Sequence, residues 1–425
     1  MTTRDDTCGS ATKSASHPHT QMAAQALACL GSRQHTDRDV VVVGGSFGGH
    51  QCALELAKAF RVTVLDNKDV FEFTPSMHTA LGSPARDAAS LFVGLDDALI
   101  AGVRFVVGVA TGADGTTVRA TLRGGEAATF PYDYLVVATG CAYPGPTKAP
   151  PDACILRDER LGAVEAARDA LARAATVLVL GGGAVGVEVA AELVEAKGGA
   201  SVTLATASDE LAPDLPPATR NQALAWLRDR GATVLLATRA ARVGPAPPGP
   251  FAGGDVDVGG ERKAYGAVVT CFGAAPATAW LDGFAALDGR GFVSIDAATR
   301  RAVLVDADAK VFAVGDAAAK PDAQRLASYA RLEGEYVAAA VAADAAGAPP
   351  PAPYAPPPRL VCLSLGAYDG AFVYDAAVVP LPGRAVPLLK SAIEKWFIRL
   401  LPMPYAVLKW LPGDDAARAW SKGGR

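Results

Sequence analysis

One device occurs twice in this chain, and it dictates most of what the chain can fold into. The first copy runs Val40-Val41-Val42-Val43 into Gly44-Gly45-Ser46-Phe47-Gly48-Gly49. A helix-like stretch follows from Gln51 to Ala59, then a second strand, Val62-Thr63-Val64-Leu65, ending at Asp66. The second copy runs Val177-Leu178-Val179-Leu180 into Gly181-Gly182-Gly183-Ala184-Val185-Gly186, with a helix from Val187 to Lys197 and a strand Val202-Thr203-Leu204. Each reads as a strand, a glycine turn and a helix returning to a parallel strand. The first glycine makes the tight turn, the second lets backbone approach a pyrophosphate, and the third packs helix on strand. The diphosphate then rests on unpaired amides at the positive end of the helix. One such motif is weak, but two, each after a four-residue apolar strand, point to two dinucleotides.

The copies differ. Ser46 stands where the middle glycine belongs in the first, and Asp66 closes its second strand, where a carboxylate suits adenosine ribose hydroxyls. The second copy has Ala205 at that place, followed by Thr206, Ala207 and Ser208. No carboxylate there repels a 2′-phosphate and no arginine recruits one, so NADH and NADPH both fit.

Three further segments belong with a flavoprotein. Tyr134 to Gly140 is a buried-type strand ending in Ala138-Thr139-Gly140, and Ala267 to Gly273 repeats the pattern. Lys310 to Asp316 is an apolar strand ending in Gly315-Asp316, where Asp316 can accept from ribityl hydroxyls while neighbouring amides face a diphosphate. Asp is also a common helix N-cap, so the order of the three elements carries the reading.

Composition removes competing classes. A length of 425 residues exceeds one ordinary core, and a net charge of -4 offers no general attraction for nucleic acid. No two of the seven cysteines lie within five positions, and no histidine follows His78, which argues against a local dithiol, zinc ribbons, Fe–S ligand sets and other metal sites. The cysteines suggest a reducing compartment. Residues 1–37 read as a disordered tail. Arg4, Lys13 and Arg33 among small polar residues suit a weak organelle transit peptide, whereas Asp5 and Asp6 argue against one.

These residues resemble the two-dinucleotide-binding-domain flavoproteins, most of all the apoptosis-inducing factor 2 and ferroptosis suppressor group, with type II NADH dehydrogenases further off. The resemblance runs from about Asp39 to about Trp410. It includes the turn Asp66-Asn67-Lys68-Asp69-Val70-Phe71, the stretch Gly181 to Leu193, and Leu363-Ser364-Leu365-Gly366 before Asp369-Gly370. It implies that NAD(P)H on the second unit reduces FAD on the first, which passes electrons to a quinone or similar acceptor. It also implies roles for Glu188 in nicotinamide-dependent activity, for the Val106 main chain at the adenine, and for Arg325 near a lysine that faces the flavin or acceptor in relatives. Lys68, Thr139, Gly140 and Gly273 join the expected cofactor contacts. Relatives carry an arginine near the place of Thr79. Glu192, one helical turn after Glu188, reads as a solvated partner.

At the other end, Ala348 to Pro358 reads as an extended proline-rich linker. Beyond Arg384, Leu389, Ile393, Trp396, Phe397, Leu400 and Leu401 follow helical spacing, with Lys390, Lys395 and Arg399 around the axis and Pro402 and Pro404 as stops. Such a helix suits a membrane interface near a quinone pool, and equally packing on the flavin domain or a dimer partner.

The expectation is an α/β fold with two Rossmann-like domains, the NAD(P) domain inserted in the FAD domain. Its boundaries are 1–37 tail, 38–150 first FAD part, 151–272 NAD(P) domain, 273–347 second FAD part, and 348–425 linker and C-terminal unit. The expected activity is NAD(P)H oxidation through FAD to a quinone-type acceptor, in the cytoplasm or peripherally on a membrane. Reduction of a small electron-carrier protein and a nucleotide-responsive signalling role with little turnover are the alternatives.

Overall fold

The computed structural model describes residues 37–400, apart from 84–85, 99–101, 146, 246–247 and 382. Nearly all of the expected tail, and Pro402, Pro404 and Trp410, lie outside the described residues.

The first glycine device starts a parallel sheet. β1 (Asp39–Val43) pairs with β2 (Arg61–Asp66), Val40 opposite Val62, and α1 (Phe47–Leu56) makes the crossover. The short helix α2 (Met77–Gly82) precedes β3 (Val103–Ala113), which joins β2 in parallel. An antiparallel meander, β4 (Thr117–Leu122) and β5 (Ala127–Pro131), extends that edge, and β6 (Tyr134–Val137) returns to the far side of β1. Every residue of β6 is fully buried, as expected of a strand covered on both faces.

The chain then leaves this sheet. α3 (Arg157–Arg173) carries the buried Arg160, whose Nε and Nη2 donate to the two oxygens of Glu72 at 3.1 Å each. The second device follows as β7 (Val177–Leu180), α4 (Ala184–Lys197) and β8 (Val202–Ala205), all parallel. α5 (Pro217–Asp229), β9 (Thr233–Leu235), β10 (Ala240–Arg242), β11 (Ala252–Val258) and β12 (Glu261–Thr270) complete a six-stranded sheet, ordered β9-β8-β7-β12-β11-β10. The return is explicit. β13 (Val311–Ala313) docks beside β6, giving the first sheet the order β13-β6-β1-β2-β3-β4-β5. Outgoing and returning segments pair where they cross, Cys141 with Pro276 and Ala142 with Ala275. The fold is therefore α/β, with one Rossmann-like sheet built inside an interruption of another.

α6 (Ala327–Ala345) lies along α1, and glycines permit the close approach: a Cβ on Gly334 would sit 2.2 Å from the Gly48 carbonyl oxygen. The proline-rich segment has no regular structure, but Tyr354 pins it, donating its N–H to Ala298 O at 2.7 Å and lying under the Arg300 guanidinium. A three-stranded antiparallel sheet follows, β14 (Leu360–Leu365), β15 (Asp369–Tyr374) and β16 (Ala377–Val379), with α7 (Ala385–Leu400) against β14 and β15. This unit straddles both sheets. Gln222 Nε2 on α5 donates to Gly370 O at 3.1 Å, and the Ala367 N–H donates to Glu195 Oε2 at 2.8 Å. On the other side Glu394 pairs with Arg86.

Candidate functional site

A cavity of about 700 Å³ lies between the first glycine device and the start of α4. From the first come Gly44, Ser46, Phe47 and Gly48, with Lys68 from the following turn. Thr139 and Gly140 end β6 above it, Gly315 and Asp316 end β13, and Ala184, Val185 and Glu188 enter from α4.

Local geometry explains each glycine turn. Gly44 has φ +104°, and a Cβ there would fall 2.3 Å from Ala138 O. A Cβ on Gly49 would stand 1.8 Å from Gly44 O, so this glycine lets α1 start against the strand end. Gly186 stands in the same relation to Gly181, at 1.9 Å. Neither Ser46 nor Gly183 caps its helix with a side chain, which leaves the first-turn amides of both helices for an anion. Around Gly183 a Cβ would meet nothing within 4 Å, so backbone is open to a ligand there.

Asp66 is buried behind the first turn. Its Oδ2 accepts from Gly45 N–H at 2.6 Å, and its Oδ1 from the Lys68 N–H at 2.9 Å and Nζ at 3.1 Å. The carboxylate thus orders the turn itself, with lone pairs left over for ribose hydroxyls. Gly315 N–H donates to the buried Glu333 at 2.6 Å, which fixes the Gly-Asp loop, while Asp316 Oδ2 lies 3.7 Å from Lys148 Nζ. The Thr139 and Thr147 hydroxyls and the Trp280 indole N–H, all on residues of the cavity wall, have no hydrogen-bond partner among the described residues.

Nine expected contacts are not in the cavity wall: Gly45, Gly49, Asp66, Gly181, Gly182, Gly183 and Gly186 belong to the two glycine devices, and Val106 and Gly273 stand elsewhere. Val106 lies within β3 opposite Leu65, and the wall takes Gly108, Val109 and Ala110 instead. Gly273 is exposed beyond the wall, which takes Thr270 and Cys271 from that segment. Arg325 lines the cavity, but its guanidinium is engaged: it donates to Asp316 O at 2.6 Å and to Asp322 Oδ1 at 3.1 Å, and lies over the Phe292 ring. It staples the Gly-Asp loop rather than offering a free cation.

The Glu188 cluster holds more than sequence showed. Glu188 is only 8% exposed, so it is no surface helix residue. Its Oε1 accepts from Ser364 N–H and Oγ at 2.8 Å each and from Lys390 Nζ at 2.5 Å, and His78 Nδ1 lies 3.7 Å from Oε2. Burial alone would raise the Glu188 carboxyl, but Lys390, His78 and the Ser364 donors outweigh it and hold the group below its usual range. Burial, with Lys390 and Arg86 nearby, pushes His78 down to about 3, so this ring stays neutral. His78, Ser364 and Lys390 were not singled out from sequence as site residues. Ser364 fell within the Leu363-Ser364-Leu365-Gly366 stretch, which was the available signal.

Glu192 corrects an expectation. It is buried, not solvated, and burial with Glu195 and Glu188 close by raises its carboxyl to about 7. Part of the C-terminal helix packs on protein. Phe397 is buried, its ring 5.3 Å from that of Phe47, 5.6 Å from Phe71 and 5.5 Å from Phe73, while Lys390 and Glu394 point to partners. Among the described residues no helix is long and apolar enough to cross a membrane.

A family model described as pyridine nucleotide-disulphide oxidoreductase matches residues 38–345. Apoptosis-inducing factor homolog A of Dictyostelium discoideum is 32% identical over 163 residues, 38% of this chain and 38% of that protein. Ferroptosis suppressor protein 1 of Homo sapiens is 30% identical over 214 residues, 49% of this chain and 54% of that one. The chain thus spans about half the length of these relatives, or less. Among solved structures, NDH2 from Plasmodium falciparum in complex with NADH matches with TM-score 0.67 at 13% identity, over 88% of this chain and 99% of that one. The sulfide:quinone oxidoreductase of Aquifex aeolicus gives 0.66 at 19%, over 86% and 91%. At such identities the likeness is one of fold.

Proposed function

Because this chain belongs to the pyridine nucleotide-disulphide oxidoreductase family, we propose that it oxidises NADH or NADPH with FAD as resident cofactor and delivers the electrons to a quinone-type acceptor. The observation that carries this reading is the shared cavity: Gly44, Ser46, Phe47 and Gly48 of the first device and Ala184, Val185 and Glu188 at the start of α4 line one space.

The unit formed by 38–150 and 273–347 would hold FAD. Gly44, Gly45, Ser46, Phe47, Gly48 and Gly49 would offer the uncapped start of α1 to its diphosphate, Asp66 and Lys68 would serve the adenosine side, and Thr139, Gly140 and Asp316 would hold the rest. The unit 151–272 would hold the nicotinamide dinucleotide on Gly181, Gly182, Gly183, Ala184, Val185 and Gly186. The fit is supported by cradles that a Cβ would fill and by helix starts without side-chain caps. When bound, FAD supplies the ring that accepts hydride and passes electrons on, and the protein supplies orientation and electrostatics.

The chain's own groups have distinct tasks. Glu188, ionised and fixed by Ser364 and Lys390, sets a defined negative charge where α4 meets the cavity. Phe47, Phe73, Met77, Leu81, Ile393 and Phe397 make an apolar wall that excludes water and suits an isoprenoid or other apolar acceptor. That wall favours a small acceptor entering the cavity over a carrier protein docking outside it. Phe397 and Glu394 are occupied by protein and so are not part of any membrane-attaching surface.

The test is turnover of the purified protein with NADH, then NADPH, and a short-chain quinone. Hydroquinone should form in step with donor oxidised. Donor oxidation coupled to oxygen alone overturns the acceptor.

A further inference from the structure

We propose that Glu192 relays a proton from solvent to Glu188 and so supplies the one proton per turnover that a hydride does not carry. The inference rests on the quinone-reductase reading. In that reaction NAD(P)H, one proton and a quinone give NAD(P)+ and a hydroquinone. The dinucleotide provides two electrons and one proton as hydride, and the second proton comes from water.

Helix geometry sets the path. Glu188, Glu192 and Glu195 fall at i, i+4 and i+7 on α4 and so share one face. Burial changes along that face: Glu188 and Glu192 are buried, and Glu195 is exposed. The inner end reaches the cavity through Glu188, which Lys390 and Ser364 contact. At the outer end Glu195 holds the Ala367 N–H near the surface.

Room for the middle member is made by another element. Gly82 ends α2 against it, and a Cβ there would lie 2.4 Å from Glu192 Cβ. The same glycine lines a second cavity of about 340 Å³, with Arg168, Leu193, Lys197 and Ser201. Such a volume has space for several waters, and Gly82, which lines it, also packs against Glu192.

The charged groups facing Glu192 are Glu188 and Glu195 from its own helix, Lys390 from α7 and Arg86 from the segment after α2. Among the described residues Glu192 forms no ion pair, so a structural salt bridge does not explain its burial. Its carboxyl titrates near 7, where a relay both takes up and releases protons. Neighbouring groups do not: His78 is held at about 3 and the Cys362 thiol is pushed up to about 12.

The test uses two acceptors with one donor. A soluble quinone consumes a proton, whereas ferricyanide takes only electrons. Glu192→Gln should lower kcat with the quinone by roughly 10-fold or more, while ferricyanide turnover and the donor KM stay unchanged. In the wild type, quinone kcat should fall as pH rises through about 7; the variant should lack that bend, and Glu192→Asp should restore part of the rate. Equal losses with both acceptors mark a structural role and overturn the relay, as does no loss with either. Wild-type protein that reduces ferricyanide but no quinone overturns the acceptor reading instead, and with it the relay, before any variant is made.

Discussion

Lys390 Nζ lies 2.5 Å from Glu188 Oε1, joining the C-terminal helix to the start of α4 across 202 residues of chain. The contact makes a helix that reads as peripheral part of the cavity. It also sets the charge state of Glu188, because an ammonium beside a buried carboxylate offsets the cost of ionising it.

Removing that ammonium should therefore show in a pH profile. In Lys390→Met, the Glu188 carboxyl and the His78 ring both gain proton affinity, since Lys390 lowers each. Anaerobic flavin reduction by NAD(P)H should stay nearly level toward acid in the wild type. In the variant it should fall toward acid, by on the order of tenfold. Rapid-mixing absorbance reads this directly, and identical profiles would count against Lys390 as the charge partner.

The two glycine turns should be separable. Gly49→Ala puts a methyl 1.8 Å from Gly44 O and should cost the protein its flavin. Gly186→Ala makes the equivalent clash with Gly181 O and should leave the flavin bound but unreactive toward NAD(P)H. Flavin absorbance after gel filtration, followed by nucleotide addition, distinguishes them; loss of flavin from both variants would contradict the division of labour.

Phe397→Ala should loosen the C-terminal cover. The side chain packs against Phe47, Phe71 and Phe73, and truncating a buried phenylalanine costs about 3–5 kcal/mol. The expected result is a lower melting temperature together with faster reaction of the reduced protein with oxygen, because water and gas reach the cavity.

Glu192→Gln has a stability signature separate from its rate effect. Burial and the neighbouring carboxylates raise the Glu192 carboxyl from 4.5 to about 7, so between those values the folded protein binds more protons than the unfolded chain. Stability therefore falls as pH rises through that window. The glutamine variant escapes this loss and should be the more stable protein at about pH 8, by no more than about 3–4 kcal/mol. At about pH 4 the two should melt alike. Thermal unfolding at both pH values checks the sign.

Local signals in the sequence reached the frame of this molecule. The glycine spacing, the apolar strands before each turn and the Gly-Asp strand end all depend on neighbouring residues, and the structure brings Gly44, Thr139 and Asp316 to one cavity. The partners of Glu188 were not legible in the same way. Ser364 and Lys390 lie 176 and 202 residues away, and helical periodicity tells which residues share a face without telling what that face meets. Glu192 was misread for the same reason. Glutamate at i+4 on a helix is usually solvated, and its burial here comes from the packing of α2, with Gly82 against Glu192. Arg325 shows the converse, a cation whose type suggested a ligand contact but whose donors serve loop carbonyls.

The central claim is that two dinucleotides share one cavity and hydride passes between them. Anaerobic titration of the purified protein with NADH, then NADPH, tests it most directly. The expected result is a yellow protein whose flavin absorbance bleaches in proportion to added nucleotide. A protein that stays colourless after reconstitution with FAD, or a bound flavin that neither nucleotide reduces, would contradict it.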